Sequence, residues 1–323
     1  MFDIITIGDS TIDTFLILDD GAKGCTLTKD KKLVCFNYAQ KIPIRHTAQS
    51  IGGNAANVAV GIQKLGRRST IITELGDDIN GHTIKYELEQ TGVDTAYVKL
   101  IKNKETRYSI VLNYCSERTI LSYHAPRNYT LPRLPQTKWI YYTSLGKTFE
   151  QIQTKIEAYL VKNPSTKLAV NPGSYQLSEE GIHHIKKLLP KIDILFVNKE
   201  EAEKLVGGGN NIKNLIASII KTGVKHAVIT DSLKGSYTFD QGTYYAMTPY
   251  PIVAKAKTGA GDAYTSGFLA ATMYGKSIPE AMQWGTANAG GVIQEFGAQK
   301  GLLSKQKLEH LITLYPRVKP KKI

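Results

Sequence analysis

The sequence predicts an α/β protein, a three-layer α/β/α arrangement around a mostly parallel sheet with a small additional β-sheet. Three observations lead there. Short apolar runs of strand length alternate with segments of helical period from residue 2 to residue 230, the pattern of parallel strands joined by helices that cover both faces of a sheet. Two stretches, 14–50 and 96–124, break this rhythm with strand-like runs and no helix between them. The chain has 323 residues, 42% hydrophobic and 21% charged, which is ordinary for a globular protein with a large core.

Taken in order, a strand is expected over 2–8. A helix follows from about Ala55 to Leu65, because Val58, Ile62 and Leu65 fall on one face and Gly66 suits a C-cap. Next come strand 69–74 and helix 80–91, then strand 138–143, helix 148–161, strand 167–170 and helix 178–188. Strand 192–197, helices 199–206 and 211–221 and strand 225–230 follow, with helices from Ala263 to Tyr274 and from Ala281 to Phe296. In the irregular stretches, Phe15-Leu16-Ile17, Leu33-Val34-Cys35-Phe36, Lys41-Ile42-Pro43-Ile44, Tyr108 to Leu112 and Thr119-Ile120-Leu121 read as strands of a small β flap. Residues 1–323 are thus expected to form one domain with the flap inserted in it.

Composition narrows the partners. No run approaches 18 apolar residues and no basic leader precedes the first strand, so a soluble, cytoplasmic protein with no membrane partner is expected. Cys25, Cys35 and Cys115 cannot all pair and show no metal-ligand spacing, which fits a reducing compartment. The net charge of +13 is dispersed, densest in the tail at Arg317, Lys319, Lys321 and Lys322. It favours small anions such as nucleotides over nucleic acid.

Two segments carry chemistry. Thr258-Gly259-Ala260-Gly261-Asp262 places small residues before a carboxylate at the start of a helix, where unpaired first-turn amides attract anions. Asp262 could act as a base toward a hydroxyl while the amides of Gly259, Ala260 and Gly261 hold a phosphoryl group. A tight turn with an acidic first-turn residue is the plain alternative. Gly275-Lys276-Ser277 is not a P-loop, since Ala270 stands where the motif needs glycine, and Gly259 and Gly261 do not complete G-x-G-x-x-G, since Tyr264 holds its third position. The second segment is Gly52-Gly53-Asn54-Ala55-Ala56-Asn57. Its two asparagines share a helical face and can read hydroxyls, and its glycines let a ligand approach the backbone; an N-cap and turn would look the same.

With both present, the chain resembles the PfkB (ribokinase-like) family of carbohydrate and nucleoside kinases. G-G-N-A-A-N-V-A-x5-L-G at 52–66 resembles the family's N-terminal signature, T-G-A-G-D-A-Y at 258–264 its C-terminal one, and Asn198-Lys199-Glu200-Glu201 its N-x-x-E motif. The resemblance implies a ribokinase-like fold in which the flap is a lid, a lid that in this family often carries a dimer contact, and transfer from ATP with Mg²⁺ to a hydroxyl of a sugar or a nucleoside. It places Thr11, Asp13, Gly52, Gly53, Asn54 and Asn57 at the acceptor. Asn198, Thr230, Gly235, Thr258 and Asn288 fall at the nucleotide, and Glu201 at Mg²⁺ through water. Asp13 could instead simply end the first strand, and Glu201 could be an ordinary first-turn acid.

Two departures stand out. Ser232 replaces the first glycine of the T-x-G-x-x-G nucleotide loop, and Ala256 replaces an aspartate that often helps bind a monovalent cation, with Lys255 and Lys257 on either side. K⁺ is therefore expected not to be required. Arg45, Arg107, Arg118 and Lys147 could clamp a phosphorylated acceptor or be solvated charge. The rival of another class is a non-catalytic protein that senses a sugar or nucleotide.

Overall fold

The computed structural model describes residues 1–19, 21–28, 33–115, 117–208 and 211–323. Residues 20, 29–32 and 116 of the expected flap lie outside the described residues. From the N-terminus run β1 (Phe2–Ile7), β2 (Thr11–Ile17), β3 (Cys25–Thr28), β4 (Leu33–Phe36), β5 (His46–Gly52) and α1 (Asn54–Lys64). Then come β6 (Ser69–Gly76), α2 (Ile79–Gln90), β7 (Val98–Ile101), β8 (Tyr108–Tyr114) and β9 (Glu117–Tyr123). Alternation resumes with β10 (Thr137–Tyr142), α3 (Glu150–Lys162), β11 (Lys167–Val170), α4 (Ile182–Leu188), β12 (Ile194–Asn198), α5 (Lys199–Val206), α6 (Ile212–Lys221) and β13 (His226–Thr230). The chain continues with β14 (Ser236–Asp240), β15 (Thr243–Met247), α7 (Ala260–Met273), α8 (Ile278–Val292), α9 (Lys305–Leu314) and β16 (Lys321–Lys322).

The central sheet has the order β16-β15-β14-β13-β12-β11-β10-β1-β6-β7. It is parallel from β13 to β7 and antiparallel at the β14, β15 and β16 edge. Strand alternation divides the core in two. Ile5, Ile7, Ile140, Tyr142, Leu168, Val170, Leu195 and Val197 face α3 to α6, while Ile4, Trp139, Tyr141, Ala169, Ile194 and Phe196 face α1, α7, α8 and α9. Both faces are covered, so strands such as β6 are buried along their whole length.

The chain starts at β1, third from the β7 edge of the sheet, runs outward to β6 and β7, and then turns the other way through β10 to β13. This change of direction opens a crevice outside the carboxyl ends of β1 and its neighbours, the usual place for a ligand in an open parallel sheet. Above it stands a four-stranded sheet, β5-β2-β8-β9.

Several expectations need correction. Val98–Ile101, assigned to the flap, pairs instead with β6 at the edge of the central sheet. Leu33–Phe36 forms a separate two-stranded ribbon with β3. Lys41 to Ile44 forms no strand, since Pro43 removes an amide that a ladder would need. The helix expected over 178–188 begins only at Ile182, and the one expected to reach Phe296 ends at Val292. Among the described residues, no helix is long and apolar enough to cross a membrane.

Candidate active site

The floor of the crevice is the N-terminus of α7. Gly259 is its N-cap in the left-handed region at φ 80°, no side chain caps the first turn, and a Cβ on Gly259 would collide with Ala298. At Gly261 a Cβ would meet only open space, so this turn offers bare backbone to the cleft. Asp262 stands on the same turn. Its carboxylate accepts a 2.8 Å hydrogen bond from Asn57 Nδ2, and Asn57 Oδ1 accepts in turn from Gln299 Nε2 at 2.9 Å. Burial deep in the cleft pushes Asp262 up to about 6; Asp13 and Glu201 push the same way, and the Asn57 bond opposes them.

Asp13 is not the end of the first strand but lies within β2, only 7% exposed. Burial raises it to about 6 against the hydroxyls of Ser109 and Thr11. Thr11 faces Gly52 across the β2–β5 ladder, and a Cβ on Gly52 would strike the Asp13 carboxylate, so glycine there keeps Asp13 in place. Gly53 has φ 92°, and a Cβ on it would come within 2.7 Å of Ser10 Cα. Asn54 donates to Asn171 Oδ1 at 3.3 Å, and Asn171 donates to the Phe196 carbonyl at 2.9 Å.

Thr11, Asp13, Gly53, Asn54, Asn57, Glu201, Thr258, Gly259 and Asp262 line one cleft of about 450 Å³. Gly52 is not in that lining and touches it through Asp13. Thr258, expected at the nucleotide, opens on this cleft instead. The four-stranded sheet forms the far side with Ser109 and Val111 from β8 and with Arg118, Ile120 and Ser122 from β9.

Asp9, Arg107, His124 and Tyr129 form a group that the sequence reading did not assemble. The Asp9 carboxylate is ion-paired with Arg107 and accepts from the Tyr129 hydroxyl at 2.8 Å, and Arg107 also meets the His124 ring. Only Asp9, next to Thr11, lay near a recognised motif. Of the other cations considered, Arg45 pairs with Asp19 at 3.6 Å and Lys147 is exposed away from the cleft.

On the opposite flank of the α7 turn, a cavity of about 290 Å³ is lined by Thr230, Ser232, Gly235, Tyr250, Ala260, Gly261, Thr286, Ala289, Gly290 and Ile293. Ser232, standing where the family has glycine, takes φ 46° and opens a short 3-10 turn to Lys234. Gly235 has φ 93°, and a Cβ there would collide with the Met247 carbonyl.

Asn288 is not on this wall. Fully buried, it donates to Ala263 O and Ser266 Oγ at 3.0 Å each and accepts from Leu303 N at 3.0 Å, so its amide is consumed in tying α8 to α7. Thr286, Ala289, Gly290 and Ile293 form the helical face that looks into the cavity, and position 288 is off it.

Asn198 and Glu201 form a capping box on α5. Asn198 Oδ1 accepts from Glu201 N at 2.9 Å, and Glu201 Oε2 accepts from Asn198 N at 2.8 Å. Asn198 lines neither cavity, whereas Glu201 reaches the cleft and is raised by burial, with the Asn198 backbone bond opposing. Among the described residues, no three His, Cys, Asp or Glu side chains converge as a metal cage.

Comparison with known proteins bears on the family and the fold. A family model described as pfkB family carbohydrate kinase matches residues 25–305. A ribokinase of Haemophilus influenzae is 26% identical over 273 residues, covering 80% of this chain and 87% of that one. A 5-dehydro-2-deoxygluconokinase of Bacillus licheniformis is 24% identical over 330 residues, 96% of each. The Arabidopsis thaliana ribokinase complexed with ribose and ATP superposes with a TM-score of 0.78 at 21% identity, covering 96% of this chain and 98% of that one.

Proposed function

The chain belongs to the pfkB family of carbohydrate kinases, and on that premise we propose that it transfers the terminal phosphoryl group of ATP to a hydroxyl of a sugar or sugar-like acceptor. The observation that carries this reading is Asp262: a carboxylate raised to about 6 and aimed by Asn57, on the same turn as the bare amides of Gly259 to Gly261. Asp13 and Asn54 hold acceptor hydroxyls, Asp262 takes the proton of the attacking one, and the α7 amides bind the phosphoryl oxygens. The cavity along Thr230, Gly235 and α8 receives the nucleotide. A non-catalytic sensor would have no use for a base so placed.

The residues fit Mg²⁺ brought in on the triphosphate. No protein cage exists among the described residues, and Glu201, with Oε2 committed to its cap, offers the cleft a single carboxylate oxygen. This is the sparse ligation of an ion that keeps its waters. Bound there, the ion would neutralise phosphate charge. Glu201→Gln should preserve the cap, lower activity about tenfold or more and move the Mg²⁺ requirement upward, since one charge is worth roughly 1.4 kcal/mol or more in such a site. A Mg²⁺ titration identical to wild type would reduce Glu201 to a capping residue.

Acceptor identity is tested by a panel of ribose, fructose, sugar phosphates, adenosine, cytidine and guanosine, assayed for nucleotide consumption with Mg²⁺. Turnover on a nucleoside alone would move the protein to the nucleoside branch of the reading. Binding without turnover on any of them would leave the sensor.

K⁺ should not activate. Ala256 supplies no carboxylate to offset the dehydration of the ion, its amide and that of Lys255 are both turned onto the Ile293 carbonyl, and Lys255 and Lys257 add positive charge on either side. Rates at constant ionic strength in potassium, sodium and tetramethylammonium salts should agree within about twofold. A selective rise with potassium would show that other oxygens complete a site.

A further inference from the structure

Gln299 lies in the turn between α8 and α9, and that turn is pinned from four sides. A Cβ on Gly259, the N-cap of α7, would collide with Ala298, and one on Gly297, at φ 101°, would come within 3.0 Å of Ser50 Oγ. Gly291 and Gly301 meet so closely that a Cβ on either would strike the other's carbonyl. The Lys64 ammonium donates to the carbonyls of Gln299 and Leu302 at 3.1 and 3.4 Å. Gln299, itself buried, is thereby fixed with Nε2 2.9 Å from Asn57 Oδ1, while Nδ2 of the equally buried Asn57 donates to Asp262 at 2.8 Å.

An asparagine amide has nearly the same shape either way round, and a half-turn about its last bond exchanges the NH2 for the oxygen. An ionised Asp262 requires the NH2. A protonated Asp262 is served equally well by the reverse, because its O–H can then donate to Oδ1. The far end of the amide separates the two states: reversal would turn the Asn57 NH2 onto Gln299 Nε2, donor against donor, in a buried place where neither finds another partner. Gln299 thus penalises only the reversed state, the one that holds a proton on Asp262.

We propose that Gln299 is a positioning residue for the transfer: its amide N–H fixes which end of Asn57 faces Asp262, and so keeps a donor, never an acceptor, against the base. Asp262 takes a proton from the acceptor hydroxyl in each turnover and must release it before the next. A reversed Asn57 would hold that proton; Gln299 prevents the reversal. The assignment rests on the kinase reading above.

The charged groups that act on Asp262 are Asp13 from β2 and Glu201 from α5, which raise it, and the Tyr141 hydroxyl of β10 faces it as well. Asp9, Arg107, Arg118 and His124 line the same cleft. A substitution at position 299 alters none of them. It changes only the partner of Asn57.

The test compares wild type with Gln299→Met, which keeps the length but has no donor, Gln299→His, which keeps a ring N–H, and Gln299→Glu, which offers an acceptor that the Lys64 ammonium helps keep ionised. Rates with ATP, Mg²⁺ and whichever acceptor the panel identifies are measured from pH 5 to 8, and the Asp262 carboxyl-carbon NMR signal, identified by its absence from D262N, is titrated over the same range without substrates. In Q299M the acid limb of kcat/KM and the Asp262 titration should both move up by about half to one pH unit, a roughly two- to sixfold loss at pH 6 that nearly vanishes at pH 8. Q299E should move both further, since an ionised glutamate takes the Asn57 NH2 and turns Oδ1 onto Asp262. Q299H should titrate as wild type. In the D262N background Q299M should cause no further loss of kcat, because the base whose proton it governs is gone. A lower melting temperature in Q299M and Q299E with the acid limb unmoved would make Gln299 a packing residue and overturn the proposal, as would a shift in Q299H equal to that in Q299M. Wild type that transfers no phosphoryl group would overturn the kinase reading, while an unmoved Asp262 signal in the substrate-free variants would overturn this assignment alone.

Discussion

Asp262→Asn is expected to lower kcat by roughly 10²- to 10⁴-fold while leaving nucleotide affinity nearly unchanged. Asparagine keeps the shape and can still accept from Asn57, so the change removes a base and little else. In wild type, kcat/KM should climb as pH rises through about 6, because only the ionised carboxylate accepts a proton. Asp13 is raised by burial into the same range and its charge raises Asp262, so the rise should be broader than a single ionisation.

Stability should move the opposite way. A carboxyl whose folded value lies above its ordinary 3.8 stabilises the fold fully below 3.8, and that contribution is lost as pH rises to about 6. D262N should therefore melt higher than wild type at pH 7.5, by an amount corresponding to roughly 1–3 kcal/mol. Thermal melts and rate profiles across pH 5 to 8 measure both effects. A variant that retained most of its kcat would remove Asp262 from the chemistry.

Asp13→Ala should cost roughly 10²- to 10³-fold in kcat/KM for the acceptor, the scale of one or two charge-assisted hydrogen bonds at about 1.5–3 kcal/mol each. Nucleotide KM should hold, because Asp13 lines the acceptor cleft and not the nucleotide cavity. Two-substrate kinetics separate these constants. If the loss appeared in nucleotide KM alone, Asp13 would lie on the wrong side of the transfer. Asp13→Asn should recover part of the loss by keeping one acceptor oxygen.

What was legible in the sequence was local. The parallel core showed through because strand and helix periods alternate cleanly from β10 to β13, and the two signatures are contiguous runs whose glycines and amides can be read one by one. The antiparallel β14–β15 hairpin was missed, although Gln241 and Gly242 both have positive φ and Gly242 marks the turn. Contacts distant in sequence left less trace. Asp9 and Arg107 meet across 98 positions, and Gln299 supports Asn57 across 242 with no motif around it. Asn288 misled for a related reason, since an amide on a helix looks the same whether it faces a ligand or is saturated inside the core.

The lid sheet leaves and rejoins the body at four places: Gly8 to Ser10, Gly53, the run before Tyr108, and the run after Tyr123. Each carries a residue of the acceptor cleft, namely Asp9, Gly53, Arg107 and His124. The cleft therefore touches every crossing between the body and the small sheet, and Thr11, Asp13, Val111 and Ile120 carry its lining onward along that sheet. Whatever fills the cleft thus touches all four crossings at once.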